Sequence, residues 1–360
     1  MKIAILGENI VPPWTEGYKN LSWELAKALS ENKDFEIYLW KDPKNDFSPK
    51  RKNIHFIPIF PKKRNLFGKI KLIVKTIKFL HKEKIGFAHF IYYPNKNNCL
   101  AFKLIERFSR VVCLQTVTLP PNKEEEIVSK NIMTMTKTTH NKLKKKLNNY
   151  FAYPLISKEK FKKTKSKALL KKLNIPSKYK VALYNAGPRP WYGFGDLMKS
   201  IPLVLKKNKK IIFVIANRDL DMPNFKKNHE FFKKWAIDKG LEKNVRFMGE
   251  WKDADELMNI ADLLVIPLRR PKMDFPMSIL EAFAKKIVVV GTKVGALPEI
   301  LDGRGVLCEK ENPENLAGGI LRAIKIDKKD KRIKEASKFA INCLPENNIK
   351  NYERAYSSLK

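Results

Sequence analysis

Apolar and polar positions alternate between two periods along most of this 360-residue chain, with short continuous apolar runs giving way to stretches that place an apolar residue every three or four positions. Runs at Lys2–Leu6, Glu36–Trp40, Ile54–Ile59, Phe87–Tyr92, Val111–Val117 and Ile132–Thr136 read as strands. Helical spacing occurs between or after them at Leu21–Leu29, Leu66–Leu80, Leu100–Phe108 and Thr138–Leu147. Strands without polar alternation, joined by helices, predict a parallel sheet covered on both faces. A second series begins at Val181, with strands at Val181–Ala186, Ile211–Ile215, Val245–Met248, Leu263–Ile266, Ile287–Val290 and Val306–Leu307 and helices between them. Leu155–Lys180, which contains SKEKFKKTKSKALLKK, has no strand signal and reads as the connection. The final stretch, Lys331–Leu359, is polar and helical.

The length suits two domains, and a hydrophobic content of 44% supports packed cores. Met1–Leu6 is too short an apolar run for a signal peptide or membrane span and reads as a buried strand. Cys99, Cys113, Cys308 and Cys343 are dispersed without metal-ligand spacing, so no disulfide framework or zinc site is expected and a reducing cytoplasm is the natural compartment. The formal net charge of +36 predicts attraction to a polyanion. Most of the excess lies before residue 173, densest between Lys62 and Lys84. There Leu66, Ile70, Ile73, Ile77 and Leu80 form an apolar stripe, expected to pack on its own domain, while Lys71, Lys75, Lys78 and Lys82 form a basic one able to meet an anionic membrane surface. A nucleic-acid role lacks support, since no aromatic-interleaved basic motif, zinc knuckle or helix-turn-helix is present. Neither a Gly-x-Gly-x-x-Gly fingerprint nor a Walker loop occurs.

The densest chemistry lies at PKMDFPMSILEAFAKKIVVVGTKVGALPEIL, residues 271–301. A polar loop at Asp274, Phe275 and Pro276 opens a helix at Met277 and Ser278, whose first backbone N–H groups lack intrahelical partners and suit phosphate. Glu281, one turn in, can accept hydrogen bonds from vicinal ribose hydroxyls or serve as a surface carboxylate. A buried strand and a turn at Gly295, Pro298 and Glu299 follow. The start of the second series, ALYNAGPRPWYGFGDLMKSI, carries Arg189 and Gly193 at a strand-to-helix turn; the fork of Arg189 suits a diphosphate, and Trp191 suits sugar stacking or anchoring of the helix start. The first strand-to-helix loop contains Pro12, Pro13, Glu16 and Gly17, and its backbone N–H groups can approach a phosphate or sugar.

Leu280–Ala284 with Gly295, Pro298 and Glu299, Arg189, and Gly17 with Glu24, Leu25 and Ala26 together resemble the signature of the family-4 retaining glycosyltransferases, the glycosyl transferases group 1. Pro154, Phe247–Trp251 (FMGEW), and Ala261, Asp262 and Pro267 extend the resemblance along the chain. It implies the GT-B fold, α/β with two Rossmann-like doubly wound domains facing a cleft: an acceptor-side domain at 1–156, a basic linker at 157–180, a donor domain at 181–335, and a helix at 336–360 crossing back. It implies a nucleotide-sugar donor, a glycan or lipid-linked acceptor, retention, no metal and no cofactor, at the cytoplasmic face of a membrane. Donor-binding positions become Gly17, Arg189, Asp274, Phe275, Met277, Ser278 and Glu281, and catalytic ones Arg189 and Thr118. Thr118 falls at the family's active-site histidine, with Gln115 as an alternative match, and His89 falls at a strand-end histidine that is either functional or simply packed. Three departures stand out: Met273 replaces the first donor glutamate, Tyr192 replaces a lysine, with Lys199 or a linker lysine as substitutes, and no histidine stands at Thr118. They keep open a second expectation, a nucleotide-sugar-binding protein impaired in catalysis.

Overall fold

The computed structural model describes residues 1–359 apart from 13, 15, 62–64, 122–125, 144–146, 165, 219, 250 and 252. Pro13, Lys62 and Glu250, named above, thus lie outside the described residues. The chain divides into two compact units, one made of Met1–Ser157, Met273–Met277 and Cys343–Lys360, the other of Lys158–Lys272 and Ser278–Asn342.

The first unit runs β1 (Lys2–Leu6), α1 (Gly17–Leu29), β2 (Glu36–Lys41), β3 (Ile54–Pro58), α2 (Leu66–Lys82), β4 (Phe87–Phe90), α3 (Lys96–Ser109), β5 (Val112–Thr116), β6 (Asn131–Thr134), α4 (Lys137–Leu143) and β7 (Asn148–Phe151). The second contains α5 (Lys167–Lys172), β8 (Lys180–Tyr184), α6 (Phe194–Lys207), β9 (Ile211–Ile215), α7 (Pro223–Asp238), β10 (Val245–Phe247), α8 (Ala254–Ile260) and β11 (Leu263–Ile266). It continues with α9 (Met277–Ala284), β12 (Val288–Thr292), α10 (Leu297–Leu301), β13 (Val306–Cys308), α11 (Pro313–Ile324) and α12 (Lys331–Asn342), after which α13 (Pro345–Ser358) packs beside α1 in the first unit.

Each unit has one parallel sheet. The orders are β3-β2-β1-β4-β5-β6-β7 and β10-β9-β8-β11-β12-β13. Both reverse direction once, between β1 and β4 in the first sheet and between β8 and β11 in the second, which is the doubly wound arrangement. Central strands such as β9 (IIFVI) and β12 (VVVGT) are buried at every position, because helices cover both faces. Edge strands β3 and β7 are mostly half-buried. Asparagine side chains start several helices: Asn65 accepts from Gly68 N at α2, and Asn95 from Asn98 N at α3.

The structure departs from the sequence pattern in four places. β7 (NNYF) is an additional edge strand beside β6, in a stretch just after the expected helix to which the pattern assigned no element. Residues 158–180 cluster with the second unit and form a 3-10 turn at Lys158–Phe161 and α5, which buries Leu169 and Leu170. The terminal helical stretch is two helices, because Pro345 cannot donate its missing N–H to a continuing helix and starts α13 afresh. The apolar stripe of α2 is split: Leu80 is buried and Ile73 and Ile77 are half-buried, but Leu66 is 70% exposed and Ile70 is 51% exposed. All four cysteines are free and buried, and no helix among the described residues is long and apolar enough to cross a membrane.

Candidate functional site

In the second unit the loops after β8 and β11 leave the sheet at its reversal point, where diverging connections open a crevice at the strands' carboxyl ends. After β8, the Tyr184 hydroxyl donates to the Gly187 carbonyl at 2.8 Å, curling the chain toward Arg189. The Arg189 guanidinium lies 4.6 Å from the ring centre of Phe225, 5.7 Å from Tyr192 and 5.8 Å from Trp191. These π faces steady the cation without cancelling its charge. Trp191 is an anchor: its carbonyl accepts from Arg269 N at 2.9 Å, and its ring meets Phe225 edge-on. At Gly193 (φ 70°) a Cβ would stand 1.7 Å from the Pro267 carbonyl oxygen, so only glycine lets α6 start this close to the end of β11. Asp196, buried in the first turn of α6, takes both arms of Arg269 at 2.7 and 2.5 Å and locks that approach. Lys199 is exposed on α6.

After β11, α9 carries half-buried Ser278 in its first turn and Glu281 one turn later. Glu281 is not a bare carboxylate. Lys160, from the 3-10 turn, lies 3.2 Å from its Oε1 and 3.3 Å from Asp255 Oδ1. Lys285, with its side chain fully buried, reaches Asp255 Oδ2 at 3.3 Å and donates to Asn259 Oδ1 and the Lys162 carbonyl at 2.8 and 2.7 Å. Burial works against the charge on Lys160, but the adjacent Glu281 and Asp255 carboxylates outweigh it and hold the ammonium well above the ordinary lysine range. Two lysines and two carboxylates thus alternate around the base of α9.

In the first unit the segment Met273–Met277 lies near residues at the carboxyl ends of β1, β5 and β6. Met277 Cγ is 3.7 Å from the point where a Cβ on Gly17 would stand. Asp274 is fully buried: its N–H donates to the Thr118 carbonyl at 3.0 Å, and its carboxylate accepts from Thr136 Oγ1 (2.7 Å), Thr139 Oγ1 (2.5 Å) and Met135 N (3.1 Å). Phe275 packs edge-on against Tyr153 at 6.4 Å, and Met273 is half-buried. The Thr118 hydroxyl donates its one proton to the Tyr92 carbonyl at 2.6 Å. Gln115 is a loop tie, donating to Glu126 O at 2.9 Å and accepting from Val128 N at 2.8 Å. His89, fully buried, contacts Tyr356 Oη at 2.8 Å through Nδ1 and Thr116 Oγ1 at 2.7 Å through Nε2, and burial pushes its pKa down to about 3. It is a packed, neutral histidine.

Comparison with known proteins adds to this geometry, most directly for the second unit. Residues 165–339 match the family described as glycosyl transferases group 1. That match spans most of the second unit, in a chain of GT-B fold. A glycosyltransferase from Rickettsia africae ESF-5 superposes with a TM-score of 0.75 at 16% identity, over 99% of this chain and 98% of that one. The Anabaena protein Alr3699/HepE, solved in complex with UDP and glucose, gives 0.76 at 15% identity over 100% and 99%. At such identities the likeness is one of fold. An N-acetyl-alpha-D-glucosaminyl L-malate synthase from Bacillus anthracis is 27% identical over 120 residues, which are 32% of this chain and 31% of that relative's length.

The sequence singled out Arg189, Ser278 and Glu281, which lie on the loops and helix that follow β8 and β11, but not the groups that contact them. Phe225 carries no signal that it lies under Arg189. Lys160 is one lysine among Lys158, Lys162 and Lys163, and nothing in that run marks it as the partner of Glu281. Thr136 and Thr139 were legible in part, since a threonine opening a helix often caps it, and Thr139 N donates to Thr136 Oγ1 at 3.3 Å.

Proposed function

We propose that this chain transfers a sugar from a nucleoside-diphosphate sugar to a glycan or lipid-linked acceptor, with retention and without a metal, at the cytoplasmic face of a membrane. The carrying observation is that Arg189 and the Ser278–Glu281 turn of α9 flank the reversal point of the second sheet. Arg189 meets the negative charge that develops on the diphosphate as the glycosidic bond breaks, by paired N–H donors of fixed geometry. The N–H groups at the start of α9 add partial positive charge on the same leaving group. Glu281, its Oε1 already oriented by Lys160, accepts from the ribose hydroxyls. Tyr192, at the position of a family lysine, supplies a phenol donor and no charge. Retention follows from the family resemblance, and the UDP and glucose named for the Anabaena neighbour support the ligand class.

The test is a thermal-shift series with nucleoside diphosphates and nucleotide sugars, followed by transfer and hydrolysis assays on those that bind. A ligand at 100 times its Kd adds about 2.7 kcal/mol, and Glu281→Ala abolishes the shift. A chain indifferent to every nucleotide is not a glycosyltransferase of this kind. Tyr192 and the Thr118 hydroxyl bonded to Tyr92 favour one alternative, a binder that has lost turnover. It shows the shift with neither transfer nor hydrolysis.

A further inference from the structure

Helix α2 has three faces. Leu80 and Thr76 are buried, and Leu72, Ile73, Ile77 and Phe79 pack partly against the core of the first unit. Leu66, Phe67, Ile70 and Val74 stand out from it, 70%, 81%, 51% and 44% exposed. Lys69, Lys71, Lys75, Lys78 and Lys82 are all exposed, and the helix contains no acidic residue. At 3.6 residues per turn, the four exposed apolar side chains span roughly a quarter of the circumference, and Lys71, Lys75, Lys78 and Lys82 span roughly the next sixth. Helix α3, packed beside α2, also carries exposed Leu100 and Phe108, with Lys96, Lys103 and Arg107 exposed on the same helix.

We infer that the outer face of α2 docks this protein onto an anionic lipid bilayer. Among the described residues the four apolar side chains remain largely uncovered, and leaving them in water is unfavourable. An adjoining lysine stripe is what a lipid interface requires: the apolar edge enters the acyl boundary while lysine stems lie along it and carry their ammonium groups to lipid phosphates. Charge complementarity selects an anionic surface over a neutral one, and two adjoining stripes running along the length of one helix fit an extended surface. The inference deepens the reading of a membrane-borne acceptor and rests on it for its purpose. Binding itself is measured without turnover.

The experiment is co-sedimentation of the full chain with vesicles of phosphatidylcholine alone or with 30 mol% phosphatidylglycerol, at ~50 and ~150 mM salt, a range over which screening weakens exposed charges. The wild type pellets with the anionic vesicles and not with the neutral ones. Lys71→Gln/Lys75→Gln/Lys78→Gln weakens this by about 100-fold, at about five-fold per lysine from roughly 1 kcal/mol each. Phe67→Ser/Ile70→Ser lowers partition at least ~10-fold at the higher salt, where apolar insertion carries the binding. Both variants keep the melting temperature, since the altered side chains are exposed. Equal partition of wild type and variants, equal binding to neutral vesicles, or no vesicle binding by the wild type each overturns the inference. The thermal shift with nucleotides, read on the same samples, tells its failure apart from failure of the donor reading.

Discussion

Polar residues occupy the carboxyl ends of strands in both units, but their partners differ in kind. In the first unit His89, Gln115, Thr118 and Asp274 spend their hydrogen-bonding atoms on neighbouring hydroxyls, carbonyls and amides of the same unit. In the second, Arg189 rests on three ring faces and Glu281 is held by one lysine. A ring face steadies a guanidinium through its charge, and Lys160 pairs with Glu281 through Oε1. Position at a strand end therefore does not make a ligand group. What matters is the kind of contact that supports the group.

The largest effect that can break this contrast is at Arg189. Arg189→Ala is expected to lower sugar transfer by about 10²–10³, or roughly 2.7–4 kcal/mol of transition-state stabilisation, while the urea midpoint stays near that of the wild type. Arg189→Lys keeps the charge and loses the fork, so part of the loss remains. A large fall in stability with unchanged kcat/KM would place Arg189 with the structural residues of the first unit. Asp274→Ala should do the reverse. It strips the acceptor from two threonine hydroxyls and a buried amide, at a cost of about 3 kcal/mol in equilibrium unfolding, with nucleotide affinity changed by less than about two-fold, within the scatter expected for a group that touches no ligand. An affinity loss without a stability loss would move Asp274 to the donor site.

His89 sharpens the contrast through pH. Its folded pKa, lowered by burial to about 3, lies below the unfolded value of 6.5, so the unfolded chain takes up a proton that the folded chain refuses. The His89 contribution is fully present above pH 6.5 and lost as pH falls through the window down to about 3, at about 1.4 kcal/mol per unit. Between neutral pH and pH 5 this amounts to about 2 kcal/mol. His89→Asn, titrated by urea unfolding over the same range, should show a correspondingly shallower slope, and an unchanged slope would mean that His89 protonates in place.

The alternation of apolar runs and helical spacing exposed both sheets because their central strands, such as Ile211–Ile215, are buried on both faces and cannot be anything else. β7 escaped because an edge strand with two asparagines and half-buried aromatics has neither a continuous apolar run nor clean alternation. The outer face of α2 escaped for another reason: helical periodicity reports that an apolar stripe exists, and the neighbouring α3 determines which part of it is covered. Arg189 and Glu281 were legible because motif spacing follows the chain. Phe225, Lys160 and Asp255 were not, since they reach the site from other elements.

Lys160 is the smallest effect and the finest test of that lesson. Its ammonium sits between Glu281 and Asp255, with about a third of the side chain exposed, so solvent screening keeps the pair's worth near 1 kcal/mol. Lys160→Met retains the stem and removes the charge, so that Lys285 still pairs with Asp255 while Glu281 loses the Lys160 ion pair. If Lys160 orients the ribose acceptor, nucleoside diphosphate affinity should fall about five-fold, the equivalent of that 1 kcal/mol, and the preference for a ribonucleotide over its 2′,3′-dideoxy analogue should shrink with it. Lys160→Arg should restore both. A merely structural lysine would lower the melting temperature and leave the sugar preference intact, because only a group that aims Glu281 can change how Glu281 distinguishes a hydroxyl from a hydrogen. The opposite sign, tighter binding in Lys160→Met, would show the ammonium standing where the ribose goes, and Glu281 would then be a carboxylate that the ligand must first win from its own protein.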